Sequence, residues 1–107
     1  MCKLLIFGGT TEGRVLAEFC TQNGISATVS VTTDYGAELL PESPFLKVYN
    51  GKLDKNEISR LIMKNGFSVV IDATHPYAVL ATENICLACA ETGAKYYRLK
   101  RESNQLF

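Results

Sequence analysis

The residues best suited to chemistry fall into four short runs of this sequence. The first is Gly8-Gly9-Thr10-Thr11-Glu12-Gly13-Arg14. Gly8, Gly9 and Gly13 set out G-G-x-x-x-G, a variant of the dinucleotide fingerprint, between a strand-like run and a helical pattern. Glycines there remove the Cβ atoms that would hold a pyrophosphate away, so main-chain N–H groups at the positive end of the next helix can meet it. The same glycines would also suit a tight strand-to-helix turn that binds nothing.

The second run is Thr32-Thr33-Asp34-Tyr35. An acidic residue at the end of a second strand accepts the ribose 2′-OH of NAD. Here that end carries Thr32 and Thr33, with Asp34 one step later. Hydroxyls suit a 2′-phosphate better, and Arg14 can supply its charge partner. The reading leans to NADPH, with NADH kept open by Asp34.

The third run is Asp72-Ala73-Thr74-His75-Pro76-Tyr77. His75 is the only histidine in the chain, and it can donate a proton or a hydrogen bond near neutral pH. Tyr77 is the second candidate for that role. Thr74 is placed to touch phosphate or nicotinamide. Asp72 reads as a structural carboxylate that takes a neighbouring backbone N–H. The fourth run is basic: Lys95, Arg98, Lys100 and Arg101 stand against Glu102 alone. It reads either as a solvated edge or as a surface for a polyanionic substrate.

The elements that must position these runs follow from hydrophobic periodicity. Lys3–Phe7 reads as a buried strand. A helix over 13–23 would turn Val15, Leu16, Phe19 and Cys20 inward, with Gly24 closing it. Ala27–Thr33 is a second strand, and Tyr35–Leu40 a short helix stopped by Pro41 and Pro44. Leu46–Asn50 is a weaker third strand. Asp54 and Glu57 form a capping-box pattern that opens a helix through Lys64, with Ile58, Leu61 and Ile62 inward and Gly66 ending it. Ser68–Ala73 is the fourth strand. Pro76 opens a helix to about Thr92, closed by Gly93, and Lys95–Leu99 is the fifth strand.

Strands joined by helices run parallel. The expected fold is therefore α/β: a Rossmann-like open parallel sheet of about five strands in the order 3-2-1-4-5, with helices on both faces. Ligands bind such sheets beyond the C-terminal strand ends, where the order reverses. The first three runs, and Arg98, Lys100 and Arg101 of the fourth, lie at those ends, and the first and third flank the reversal.

Composition narrows the classes. The chain has 107 residues, 47% hydrophobic and 21% charged, with eleven Lys+Arg against eleven Asp+Glu. That fits one globular domain. It excludes a disordered tail, a collagen-like repeat and a disulfide-dense scaffold. The charge balance argues against a nucleic-acid or membrane partner. No run has the length of a membrane helix, and the N-terminus lacks a secretory h-region, so a cytoplasmic location is expected. Cys86 and Cys89 make a C-x-x-C in mid-helix, whereas redox pairs sit at helix N-termini. With one distant histidine, no metal site is expected.

Together the runs FGGTTEGR (Phe7–Arg14), SVTTDYGAELL (Ser30–Leu40), NGKLD (Asn50–Asp54), DATHPYA (Asp72–Ala78) and YYRLKRE (Tyr96–Glu102) resemble the N-terminal half of the precorrin-6A reductase family, including its cobalt-precorrin-6A counterpart. The resemblance spans Lys3 to about Glu102. It implies two Rossmann-like halves with NAD(P)H and a corrin precursor, a tetrapyrrole, in the cleft between them. It implies hydride transfer to that macrocycle in cobalamin biosynthesis. Carried over by position, Gly8, Gly9, Thr10, Thr11, Glu12 and Gly13 would form the cofactor loop, with Arg14 and Thr74 beside it. Thr32, Thr33 and Tyr35 would line the adenosine side. Thr74, His75, Pro76 and Tyr77 would sit near the reacting centre. Tyr35, Arg98, Lys100 and Arg101 would face the substrate, whose rim carries many carboxylates.

Residues 1–107 are thus expected to be one nucleotide-binding domain that depends on the family's C-terminal domain for catalysis. Two other readings stand beside this one. One is a non-enzymatic dinucleotide-binding or redox-sensing module. The other is a flavodoxin- or receiver-like domain, which Gly8-Gly9 disfavours because receivers place carboxylates there.

Overall fold

A computed structural model of the chain describes residues 3–100. Five parallel strands form one sheet in the order β3-β2-β1-β4-β5, the order expected from the sequence. They are β1 (Leu4–Phe7), β2 (Ala27–Val31), β3 (Leu46–Asn50), β4 (Val69–Asp72) and β5 (Lys95–Arg98). The helices are α1 (Thr11–Gln22), α2 (Asp34–Glu38), α3 (Lys55–Asn65) and α4 (Val79–Thr92).

The register divides the apolar residues between two faces. Leu5 and Val70 lie in adjacent register and join Ile58, Ile62, Ile85 and Cys89 in the core under α3 and α4. Ile6 aligns with Val29 and Ile71. Ile6 and Val29 join Ala17 and Cys20 under α1, with Ile71 packed against that cluster. Alternate strand residues thus serve opposite cores, as the two-residue strand period requires.

Local signals set the helix ends. Asp54 and Glu57 form the expected capping box: each side chain accepts from the other residue's backbone N–H, at 2.8 Å in both directions. Gly66 and Gly93 follow α3 and α4 as left-handed caps. Cys86 lies within α4, and Cys89 is buried there with its thiol pushed up to about 11 by burial. Cys20, Cys86 and Cys89 are free thiols.

Two expectations need correction. The inward face of α1 is Gly13, Ala17 and Cys20, while Val15 and Phe19 are about half exposed. The helix is rotated because it packs on the sheet through Gly13, against Gly8 and Ala73. Second, α4 begins at Val79, not at Pro76. The Ala78 N–H donates to the His75 carbonyl at 2.9 Å and closes a turn across Pro76 and Tyr77. Proline presets the second position of such a turn. Tyr77 is therefore lifted clear, 87% exposed.

Candidate functional site

The site grows from the end of β1. The Gly8 N–H donates to the Ser30 carbonyl at 2.8 Å, extending the β1–β2 pairing by one residue. Gly9 has φ +95°, a conformation open to glycine at little cost. Thr10 caps α1, its hydroxyl accepting from the Gly13 N–H at 3.1 Å and donating to the Ala73 carbonyl at 2.5 Å. One side chain thus ties the start of α1 to the end of β4. A Cβ on Gly13 would lie 3.0 Å from the Gly8 Cα. The three glycines therefore do three jobs: a close strand contact, a turn and a close helix approach.

Three clefts converge on this loop. A narrow cleft of about 180 Å³ lies toward α2, lined by Gly9, Gly13, Arg14, Thr33, Tyr35 and Leu39 among others. An apolar slot of about 310 Å³ runs between the ends of β2 and β3 and the start of α4, with Thr32, Lys52, Leu53, Tyr77, Val79 and Leu80 along it. A wide cleft of about 690 Å³ lies toward β4 and β5, lined by Thr11, Glu12, Thr74, His75, Arg98 and Lys100 among others.

At the narrow cleft the Arg14 Nε is buried without a hydrogen-bond partner among the described residues. Thr33 caps α2 through its hydroxyl, which accepts from the Gly36 N–H at 2.9 Å. The Asp34 carboxylate accepts from Asn50 Nδ2 at the end of β3.

The floor of the wide cleft is built on Asp72, which is wholly buried. Its Oδ1 accepts from the Thr74 N–H (3.0 Å), the Thr74 hydroxyl (2.7 Å) and Arg98 (2.9 Å). Its Oδ2 accepts from Thr82 (2.7 Å) and Tyr96 (2.8 Å). Burial by itself would raise the Asp72 pKa. The hydrogen bonds from Thr74, Thr82 and Tyr96 outweigh it and hold the carboxyl below its ordinary value. Tyr96 is pushed up by burial, by its bond to Cys86 and by its bond to Asp72. The Arg98 side chain is 19% exposed, and its guanidinium also donates to the Asp72 carbonyl and the Thr74 hydroxyl. A buried carboxylate with five side-chain and backbone donors is a structural hub.

His75 is exposed. Its Nδ1 accepts from the Tyr77 N–H at 3.2 Å. That bond leaves the proton of the neutral ring on Nε2. The two rings lie 5.0 Å apart.

The expected site residues are distributed as follows. Gly8, Gly9, Thr10, Thr11, Gly13, Arg14, Thr33 and Tyr35 come together at the narrow cleft. Thr32, just past the end of β2, lies at the apolar slot instead. Glu12, Thr74, His75, Arg98 and Lys100 line the wide cleft. Thr74 also lines the slot, where Tyr77 lies. Arg98 differs from a free surface cation, because its charge is paired with Asp72. Arg101 falls outside the described residues. Thr82 and Tyr96 escaped the sequence reading, being distant in sequence from the loop they support. Leu53, Val79 and Leu80 escaped it because apolar residues near strand ends look like core.

Comparisons with known proteins identify the family and the fold. The family model described as "Precorrin-6x reductase CbiJ/CobK" matches residues 3–106. A cobalt-precorrin-6A reductase of Methanocaldococcus jannaschii is 35% identical over 105 residues, covering 97% of this chain and 42% of that protein. One from Methanothermobacter thermautotrophicus is 32% identical over 100 residues, covering 92% of this chain and 33% of that protein. The solved structure "CobK precorrin-6A reductase" superposes with TM-score 0.85 at 31% identity, over 100% of this chain and 42% of that one. A Bordetella bronchiseptica enzyme, WbmH, solved with NAD+, shares the fold at TM-score 0.72 and 20% identity. The chain thus spans 33–42% of the length of the curated relatives named here.

Proposed function

The chain belongs to the precorrin-6x reductase family, and from that premise we propose that it forms the N-terminal, nucleotide-binding half of an oxidoreductase of cobalamin biosynthesis. The reaction is NADPH-dependent reduction of the precorrin-6A macrocycle or of its cobalt complex. Residues 1–107 act as one domain, and a second domain closes the cleft over the substrate.

The observation that supports this most is the meeting of three clefts at one glycine loop on the N-terminus of α1. A dinucleotide needs a place for each of its parts, and the loop offers places of suitable chemistry. The pyrophosphate lies against Gly8–Gly13, where the helix dipole favours negative charge. The purine enters the apolar slot between Leu53 and Val79. The 2′-phosphate takes the narrow cleft, where Arg14 has an unpartnered buried Nε and Thr33 a hydroxyl. Asp34, tied to Asn50, is held away from the part an NAD-binding carboxylate would play. These features fit a nicotinamide cofactor, with NADPH over NADH.

When bound, the nicotinamide supplies the hydride. Thr74 and His75 border its side of the wide cleft. His75 offers its Nε2–H as a hydrogen-bond donor, and Tyr77 is the second donor at the loop. Lys100 and Arg101 meet substrate carboxylates, while Arg98 does so through the part of its guanidinium not given to Asp72. Tyr35 stands at the mouth of the narrow cleft.

The test is a thermal-shift titration. NADPH raises Tm by mass action, and NADH does so less. Absence of any shift with either cofactor at concentrations well above about 1 mM overturns the reading. The competing reading, a dinucleotide-responsive module without activity, predicts binding alone. Supplying the second domain of a relative in trans separates the two, since restored reduction of precorrin-6A removes the module reading.

A further inference from the structure

The floor of the wide cleft has its hydrogen-bonding polarity fixed from behind. Thr74 and Thr82 both line that cleft. Both hydroxyls donate to Asp72, Thr74 to Oδ1 and Thr82 to Oδ2, each at 2.7 Å. A hydroxyl has one proton to give and two lone pairs to offer. The Asp72 carboxylate also receives the Thr74 N–H, the Tyr96 hydroxyl and Arg98. Surrounded by donors and paired with a guanidinium, it acts only as an acceptor. Both threonine protons are therefore committed inward. The two threonine oxygens lie 3.4 Å apart, and no proton remains to bridge them. Toward the cleft, Thr82 can turn only lone pairs, and Thr74, whose hydroxyl also accepts from Arg98 at 3.2 Å, only the one that remains.

We propose that Asp72 is a positioning residue that makes Thr74 and Thr82 an acceptor-only subsite, which takes the primary amide of a nicotinamide ring and rejects the corresponding carboxylate. This rests on the dinucleotide reading of the glycine loop, with the reactive end of the cofactor in the wide cleft. An amide –NH2 brings two donors to the threonine oxygens. A carboxylate brings none and sets its charge against their lone pairs. Arg98 acting alone would give the opposite preference, because a guanidinium attracts a carboxylate. The sign of the amide-versus-acid preference is therefore diagnostic.

The experiment is calorimetric titration of the protein with NADP+ and its nicotinic-acid analogue, with NAD+ and its analogue in parallel. The adenosine half of each cofactor serves as the control ligand. The wild type binds the amide form at least about tenfold more tightly than the acid form. In Asp72→Asn the new amide can donate to a threonine hydroxyl and release that proton toward the cleft. The preference then falls to about threefold or less, while affinity for the adenosine half is unchanged. A merely structural role would weaken all these ligands together. Thr82→Val removes one acceptor and also lowers the preference. Tyr96→Phe leaves both threonine bonds in place and keeps it. Should Asp72→Asn lack a cooperative unfolding transition, the Thr82→Val and Tyr96→Phe pair decides. A wild type that binds the cofactors with no amide preference, or a preference that survives both Asp72→Asn and Thr82→Val, overturns the proposal. A wild type that binds neither NADP+ nor NAD+ overturns the dinucleotide reading itself.

Discussion

A β-carbon on Gly13 would sit 3.0 Å from the Gly8 Cα and 3.4 Å from the Ala73 Cβ. Neither neighbour is the end of a flexible side chain, so α1 itself would have to lift. Gly13→Ala is expected to cost about 1–3 kcal/mol of stability, read by urea denaturation. NADPH affinity should fall with it, because the N-terminus of α1 moves. Gly9 is the opposite case. Nothing lies within 4 Å of its would-be Cβ, and its constraint is the positive φ. Gly9→Asp should lower stability, because a side chain is strained at that φ, and the variant's Tm should no longer respond to NADPH, because the new carboxylate repels the pyrophosphate. Arg14 tests the cofactor's phosphate. Arg14→Gln is expected to weaken NADPH about tenfold or more, by loss of hydrogen bonds to a charged group, and to leave NADH nearly unchanged. Equal losses for both cofactors in a calorimetric titration would remove Arg14 from the 2′-phosphate site.

The order of elements was legible because each signal was local. Apolar runs marked the strands, Asp54 and Glu57 marked the start of α3, and the crossover rule made the sheet parallel. What was illegible depended on contacts between elements. Val15, Leu16, Phe19 and Cys20 looked like an inward face, but α1 buries Gly13, Ala17 and Cys20, and Gly13, set close to Gly8 and Ala73, has no side chain to signal it. Pro76 looked like a helix start, but the turn bond from Ala78 to His75 delays α4 by three residues. The candidate site divides the same way. Its loops were visible as runs of glycine, threonine and histidine. Its supports, Thr82 and Tyr96, were not, since only the fold brings α4 and β5 to Asp72. Thr10 joins two such elements, capping α1 and bonding the end of β4. Thr10→Val loses both functions and should cost about 1–2 kcal/mol in chemical denaturation. A cost near zero would mean that α1 is held on the sheet by packing alone.

At the scale of the whole molecule, Asp72 is the one charged side chain in the buried set among the described residues. It joins β4, the β4–α4 loop, α4 and β5 through a single carboxylate. Acid should therefore act on the fold through this point. Its folded pKa lies below the ordinary value, so in the native state the carboxylate holds its charge more strongly than in the unfolded chain. The associated stability is fully present above the unfolded pKa, about 3.9. It is lost as pH falls through the lower folded pKa. At neutral pH Asp72→Asn should be less stable than the wild type, because five donors then meet a group with half the acceptor capacity. As pH drops below about 4 the wild type loses its advantage, and the two Tm values converge. A Tm difference between wild type and variant that stays constant down to pH 2 would show that Asp72 contributes by shape and not by charge. The amide preference of the wide cleft would then need another origin as well, because a protonated Asp72 could donate to a threonine hydroxyl and leave that hydroxyl free to donate outward.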